Sequence, residues 1–289
     1  MLLGAIEAGG TKFICAVGNQ KGEILEKKSF PTTTPKETME EVIEFFYDKK
    51  IEAMGVGSFG PIDLDKNSKT YGCITTTPKP YWSNYNILEE LKKHFDFPIN
   101  LDTDVNGAAL GEATWGSAVG LDSVIYLTVG TGIGGGVYSG GKLVHGMTHP
   151  ETGHILVRRA VGDKYKGKCL YHGDCLEGMA SGPAIEERWG IKGYELPKAH
   201  SAWELEAYYL AQGLVNYILI ISPKKIIMGG GVMKQEQLFP LIRGEVVKLL
   251  NGYVSHKNIL GNIEEYIVSP KLGDNAGICG ALALALESF

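Results

Sequence analysis

The chain has 289 residues, 44% of them hydrophobic, enough for two packed domains or one domain with a large insertion. Lys and Arg number 28 against 33 Asp and Glu, a formal charge of -5, and no basic run could neutralise the phosphates of a polymer, which excludes nucleic acid as an expected partner. No apolar stretch is long enough to cross a bilayer and Met1 stands almost at once inside a predicted strand, so no membrane and no secretory leader are expected, and the protein is expected in the cytoplasm.

From residue 3 to about 18 the pattern predicts a β-hairpin: β-prone residues enter a turn of Gly9, Gly10 and Thr11 and leave through Lys12 as a second apolar strand. A strand follows near Ile24 to Phe30. A helix is then announced by Thr34-Pro35-Lys36-Glu37, a capping box with proline at the first helical position, with Met39, Val42, Ile43 and Phe46 on one face. Ile51 to Ser58 reads as a buried strand, Asn86 to Phe95 as a second amphipathic helix started by Asn86 and Glu89, and Pro98 to Leu101 as a strand. Asp102-Thr103-Asp104-Val105-Asn106 comes next, and the small residues from Gly107 to Ala113 predict a helix packed closely on a neighbour. The first domain is expected to end near Trp115 and Gly116.

The second domain opens by repeating the hairpin: Ile125 to Val129 enters a turn of Gly130, Thr131 and Gly132 and leaves as Ile133 to Tyr138. Ser139 to Gly182 is irregular, rich in glycine, histidine and charge, and too long for a connector without a stabiliser of its own. Trp203 to Ile221 predicts an apolar helix stopped by Ser222-Pro223, and Lys225 to Met228 a strand ending in a third glycine turn, Gly229 to Gly231. A helix near Gln235 to Leu250 and a strand near Ile263 to Val268 follow. The tail from Gly273 reads as a helix whose small faces permit a close crossing.

Three constellations carry chemistry. Glycine lets backbone N–H groups converge on an anion, and threonine hydroxyls add donors, so two Gly-Thr turns facing each other would clamp a polyphosphate. One such turn alone is as well read as a tight β-turn; two copies favour phosphate. Neither matches the Walker A spacing or opens a helix as a dinucleotide loop does. Cys169, His172 and Cys175, with His154 a loop away, meet the four-ligand tetrahedral demand of structural zinc, and a closed shell of this kind is no Lewis acid for the reaction. The alternative is buried thiols beside surface histidines. The remaining cysteines, Cys15, Cys73 and Cys279, sit singly among apolar or small residues and read as buried thiols. Asp104, between a strand end and a helix start, has two readings: a general base kept ionised by the helix N-terminus, or a helix N-cap. Asp102 carries the same two.

Glu7-Ala-Gly-Gly-Thr-Lys12, Asp102-Thr-Asp104-Val-Asn106, Thr128 to Gly136, Glu151-Thr-Gly-His154, the Cys/His cluster, Ser181-Gly-Pro183, Gly229-Gly-Gly231 and Gly273-Asp-Asn-Ala-Gly277 resemble, over the whole length, the ROK family of sugar kinases and repressors. Glu7, Thr103 and the Cys-x-x-His-x-x-Cys form depart from the family glucokinases and, with Thr75-Thr-Thr-Pro78-Lys-Pro80-Tyr-Trp82, resemble its bacterial zinc-containing fructokinase branch. The resemblance implies an α/β, two-lobed, actin-like fold of the hexokinase and sugar-kinase, ribonuclease H-like type, with a zinc-stabilised loop. The expected lobes are 1–115, joined by a C-terminal helix at about 275–289, and 116–274, with the zinc segment at 154–175. By matching positions, Asp104 would be the general base for the 6-hydroxyl of fructose, with Glu151, His154 and Glu177 on sugar hydroxyls. Gly9, Gly10, Thr11, Lys12, Thr131 and Gly132 would hold the phosphates of ATP and its Mg2+. Pro183 and Gly229, Gly230, Gly231, Val232, Met233 and Lys234 would line the adenosine pocket. His154, Cys169, His172 and Cys175 would hold Zn2+. A homodimer is implied as well. Against an ATP-dependent fructokinase stand a kinase for mannose or glucose, a sugar-responsive regulator, which would carry an N-terminal helix-turn-helix, and an actin-like filament protein.

Overall fold

A computed structural model describes residues Met1–Phe289, which divide into two compact units. The first comprises Met1–Gly120, Leu143–His149 and Asp274–Phe289. Its strands are β1 (Leu2–Ala8), β2 (Lys12–Asn19), β3 (Ile24–Pro31), β4 (Ala53–Ser58) and, after the short pair β5 (Cys73–Ile74) and β6 (Tyr85–Asn86), β7 (Ile99–Thr103). The five long ones form one sheet in the order β3-β2-β1-β4-β7, with β1 antiparallel to β2 and parallel to β4, and β4 parallel to β7.

Strand alternation sorts large and small residues to opposite faces. Ile6, Phe13, Cys15, Met54 and Val56 face helix α1 (Pro35–Phe46) and α2 (Ile87–Lys92) in the larger core, together with Met39, Val42, Leu88, Leu91 and Trp82. Leu3, Ala5, Ile14, Ala16 and Ala53 face the C-terminal helix Ala276–Leu286 through Ile278, Ala281, Leu282 and Ala285. α1 starts as expected: Thr34 accepts from Glu37 N–H and the Glu37 side chain closes the capping box. α2 is shorter than its predicted span, ending at Lys92, though Asn86 caps it by accepting from Glu89 N–H at 2.9 Å.

The small faces meet closely. A Cβ built on Gly55 would lie 1.9 Å from the Ala281 carbonyl oxygen, and one on Gly280 would lie 2.1 Å from the backbone of Gly107 in α3 (Asp104–Thr114). Both obstacles are backbone, which a rotamer change cannot clear. Gly55→Ala is therefore expected to destabilise this unit by about 1–3 kcal/mol or more, read as a lower denaturant midpoint by circular dichroism; an unchanged midpoint would contradict so tight a crossing.

The second unit comprises Leu121–Lys142 and Pro150–Gly273. β8 (Ser123–Val129), β9 (Ile133–Ser139) and β10 (Lys142–Leu143) lead into the irregular segment, relieved only by a 3-10 turn at Thr152–His154 before α4 (Leu176–Ala180). Then come α5 (Gly182–Trp189), α6 (Ala202–Ile221), β11 (Lys225–Gly229), α7 (Leu238–Leu250), α8 (Lys257–Leu260), α9 (Ile263–Tyr266) and β12 (Ile267–Val268). The sheet order is β10-β9-β8-β11-β12, with β8 antiparallel to β9 and parallel to β11. The strand expected from Ile263 is half helix. The Asn262 carbonyl accepts from Glu265 and Tyr266 N–H, Tyr266 OH donates to Pro223 O at 3.0 Å, and only Ile267 and Val268 reach β11; Glu264 and Glu265 have little preference for a strand. No helix is long and apolar enough to cross a membrane.

Candidate functional site

In the first unit the β1–β2 turn is braced from within. Gly9 N–H donates to Lys12 O at 3.0 Å, and Thr32 donates its hydroxyl to Gly9 O at 2.7 Å and its N–H to Thr11 O at 2.9 Å. A Cβ on Gly9 would crowd Lys12 O at 2.8 Å, whereas one on Gly10 would meet open space; Thr11 and Lys12 are exposed. Glu7, at the end of β1, is half-buried, and its carboxylate fills the space where a Gly277 side chain would begin. Burial raises the Glu7 pKa, with Lys12 and Lys27 opposing.

Asp104 is the first residue of α3, and its Oδ1 accepts from Val105 N–H at 2.9 Å. It is not the N-cap. Thr103 takes that place, accepting from Asn106 N–H at 3.1 Å, which leaves Asp104 half-exposed where the helix dipole favours a carboxylate. Asp102, by contrast, is buried and accepts three bonds of 2.7 Å, from Thr103 N–H, Asn106 Nδ2 and His145 Nε2. His145 lies in Leu143–His149, which packs in this unit although its chain neighbours belong to the other. The hydrogen bond to Asp102 raises the His145 pKa, against partial burial. No local pattern points to this partner, since His145 stands in an irregular stretch 43 residues away from Asp102.

In the second unit three predicted nucleotide segments meet. Gly130 N–H donates to Gly132 O at 2.9 Å to close the β8–β9 turn, and Gly182 N–H donates to Gly130 O at 2.7 Å, tying that turn to the first turn of α5, where Pro183 sits. A Cβ on Gly130 would lie 3.8 Å from Gly231 N, so the turn after β11 adjoins as well. Gly230 has φ +92°, and a Cβ there would meet Val129 O at 2.4 Å, so glycine is required. Thr131, Gly231 and Lys234 are exposed; Val232 and Met233 are buried beneath them. Threonine, glycine and lysine at one exposed junction suit a polyphosphate.

Glu177 joins that junction to the Cys/His cluster. Its Oε2 accepts from Ile133 N–H at 3.0 Å, at the end of the hairpin turn, and its Oε1 lies 4.0 Å from His154 Nε2. Glu151 precedes His154 on the same 3-10 turn, where His154 N–H donates to Glu151 O at 3.1 Å. The other nitrogen of His154, Nδ1, lies 3.6 Å from Cys169 Sγ and 3.6 Å from Cys175 Sγ, and His172 Nδ1 lies 3.7 Å from Cys169 Sγ. All four ligand atoms fall within 4.8 Å of one another. A tetrahedron with Zn–S of about 2.3 Å and Zn–N of about 2.0 Å has S···N edges of about 3.5 Å, so the donor set and its S···N spacing fit zinc. Backbone pairing of Cys169 with Gly173, at 3.2 and 3.0 Å, shapes the knuckle, and Leu176 N–H donates to Ile155 O at 2.9 Å to bring the two ends of the segment together.

The profile described as "ROK family" matches residues 3–288. A fructokinase of Pediococcus pentosaceus is 47% identical over 285 residues, covering 99% of this chain and 98% of its own. Among solved structures, the ROK hexokinase of Thermus thermophilus superposes with a TM-score of 0.82 at 26% identity, covering 100% of this chain and 99% of its own. A ROK family glucokinase of Streptomyces griseus, solved in complex with glucose and AMPPNP, gives 0.79 at 25% identity, covering 99% and 100%.

Proposed function

As the chain belongs to the ROK family, we propose that it is an ATP-dependent fructokinase that phosphorylates the 6-hydroxyl of D-fructose. The whole-length match to a protein named as a fructokinase carries this reading. The chemistry of the residues supports it. Asp104, half-exposed at a helix N-terminus, is suited to accept the hydroxyl proton as the alcohol attacks the terminal phosphorus of ATP. Glu151, His154 and Glu177 are the side chains for sugar hydroxyls. The Thr131–Gly132 turn, with Gly9, Gly10, Thr11 and Lys12, binds phosphates through backbone N–H groups, hydroxyls and a cation. Pro183 and Gly229–Lys234 take the adenosine.

Mg2+ would enter with the ATP phosphates held by these turns and would supply neutralisation of the charge that develops on them. Phosphoryl transfer asks little covalent work of a protein, so this chain's contribution is orientation and electrostatics. We assign Zn2+ to His154, Cys169, His172 and Cys175 in a structural role, because four protein donors leave no open position. The test is a coupled ADP-release assay with ATP and Mg2+ across fructose, mannose, glucose and other hexoses. Fructose should have the highest kcat/KM; a higher value for mannose or glucose would move the assignment to that sugar, and silence with all of them would remove it.

A further inference from the structure

We propose that His145 is a positioning residue for Asp104: by clamping Asp102 it fixes the turn from β7 into α3, so turnover depends on the His145–Asp102 hydrogen bond. This rests on the assignment of Asp104 as the base.

Asp102 is the hub of that turn. It is 3% exposed, and one oxygen, Oδ1, holds both Thr103 N–H and Asn106 Nδ2 at 2.7 Å, one residue before Asp104 and two after it. The other oxygen, Oδ2, meets His145 Nε2 at 2.7 Å, and Asn106 Nδ2 lies 3.5 Å from the same ring nitrogen. Asp104 is therefore flanked on both sides by groups whose placement runs through one buried carboxylate. Release of His145 would leave Oδ2 without this partner inside the fold, and a carboxylate that turned to find another would drag Thr103 and Asn106 with it.

The bond does not require a charged ring: a neutral imidazole with its proton on Nε2 still donates to Asp102 Oδ2, and the imidazolium adds charge to the same bond. The other charged or titratable groups around the pair are Glu287, which raises His145 and is itself raised by burial, Lys66 beside Glu287, and Tyr71 beside Asp102. With the folded pKa of His145 raised above its unfolded value, the contribution of the pair is fully present below the unfolded value and is lost as pH rises through the folded one.

The experiment is steady-state kinetics of the full-length wild type, His145→Ala and His145→Gln with fructose and ATP–Mg2+, with thermal melts to verify folding. His145→Ala should lose on the order of 10- to 100-fold in kcat, the scale of a misplaced reacting group, with KM for ATP within about twofold, since nucleotide binding is not touched. His145→Gln keeps a neutral donor toward Asp102, so it should recover most of kcat, a rescue that loss of packing alone would not give. The inference is overturned if folded His145→Ala turns over as wild type does, or if His145→Gln recovers none of what His145→Ala loses. Those results with an active wild type indict His145 alone, whereas a wild type inert toward every sugar overturns the kinase reading and this inference with it.

Discussion

Asp104→Asn is expected to keep its affinity for sugar and nucleotide and to lose on the order of 10²- to 10⁴-fold in turnover, the usual contribution of a general base. The substitution is nearly isosteric. An amide oxygen can still accept from Val105 N–H, the bond of 2.9 Å that holds the carboxylate, and Thr103, not Asp104, caps α3, so the fold has little to lose. An amide cannot take the hydroxyl proton. The effect should therefore fall on kcat with KM nearly constant, the pattern of an interaction made in the transition state. Turnover within tenfold of wild type would withdraw the base from this position. A fall in Tm as large as that of Gly55→Ala would instead mean that Asp104 holds the fold.

The second large effect concerns the metal. Cys169→Ser and Cys175→Ser should each purify with less than one zinc per chain, where the wild type should carry one, and should melt at lower temperature. Structural zinc contributes about 10–16 kcal/mol of apparent binding energy in small zinc-finger peptides. Loss of even a part of it, at about 2–4 °C per kcal/mol for a unit of this size, would shift the transition by about 5 °C or more. Cys169 is the cleaner test, being partly exposed where Cys175 is fully buried. Turnover should fall along with order in residues 154–175, because His154 and Glu177 lie at one end of the cluster and Ile133 N–H hangs on Glu177. Chelation that stopped turnover and left the melt unchanged would instead give the metal a part in the chemistry.

Legibility followed the range of the interactions. Local signals were read directly: the Thr34 capping box, the two hairpins with their glycine turns and the small-residue helix at Ala276–Leu286 each depend on neighbours a few residues apart. The Cys/His cluster was legible for a different reason, since four soft or borderline donors among glycines have few other uses. Ile263–Tyr266 was misread because a four-residue helix and a strand share an apolar flank, and only the reach of β11 decides between them. Asp104 and Thr103 were separable only by backbone angles: Thr103 is extended, with φ -68° and ψ 154°, whereas Asp104 is already helical. His145 was invisible, because a contact across 43 residues leaves no periodicity in either segment.

The C-terminal helix belongs to the first unit, yet in chain order it follows the whole of the second. A ribosome emits the N-terminal sheet first, at about 5–20 residues per second, and Leu3, Ala5, Ile14, Ala16 and Ala53, with only Ile24 and Trp115 packed against them, then wait for the rest of their cover until Ile278, Ala281 and Leu282 emerge. The unit that starts earliest therefore finishes last. During that interval the nascent chain presents a partly covered apolar surface that chaperones can hold, and a stop codon introduced anywhere before Ala276 would leave it so for good.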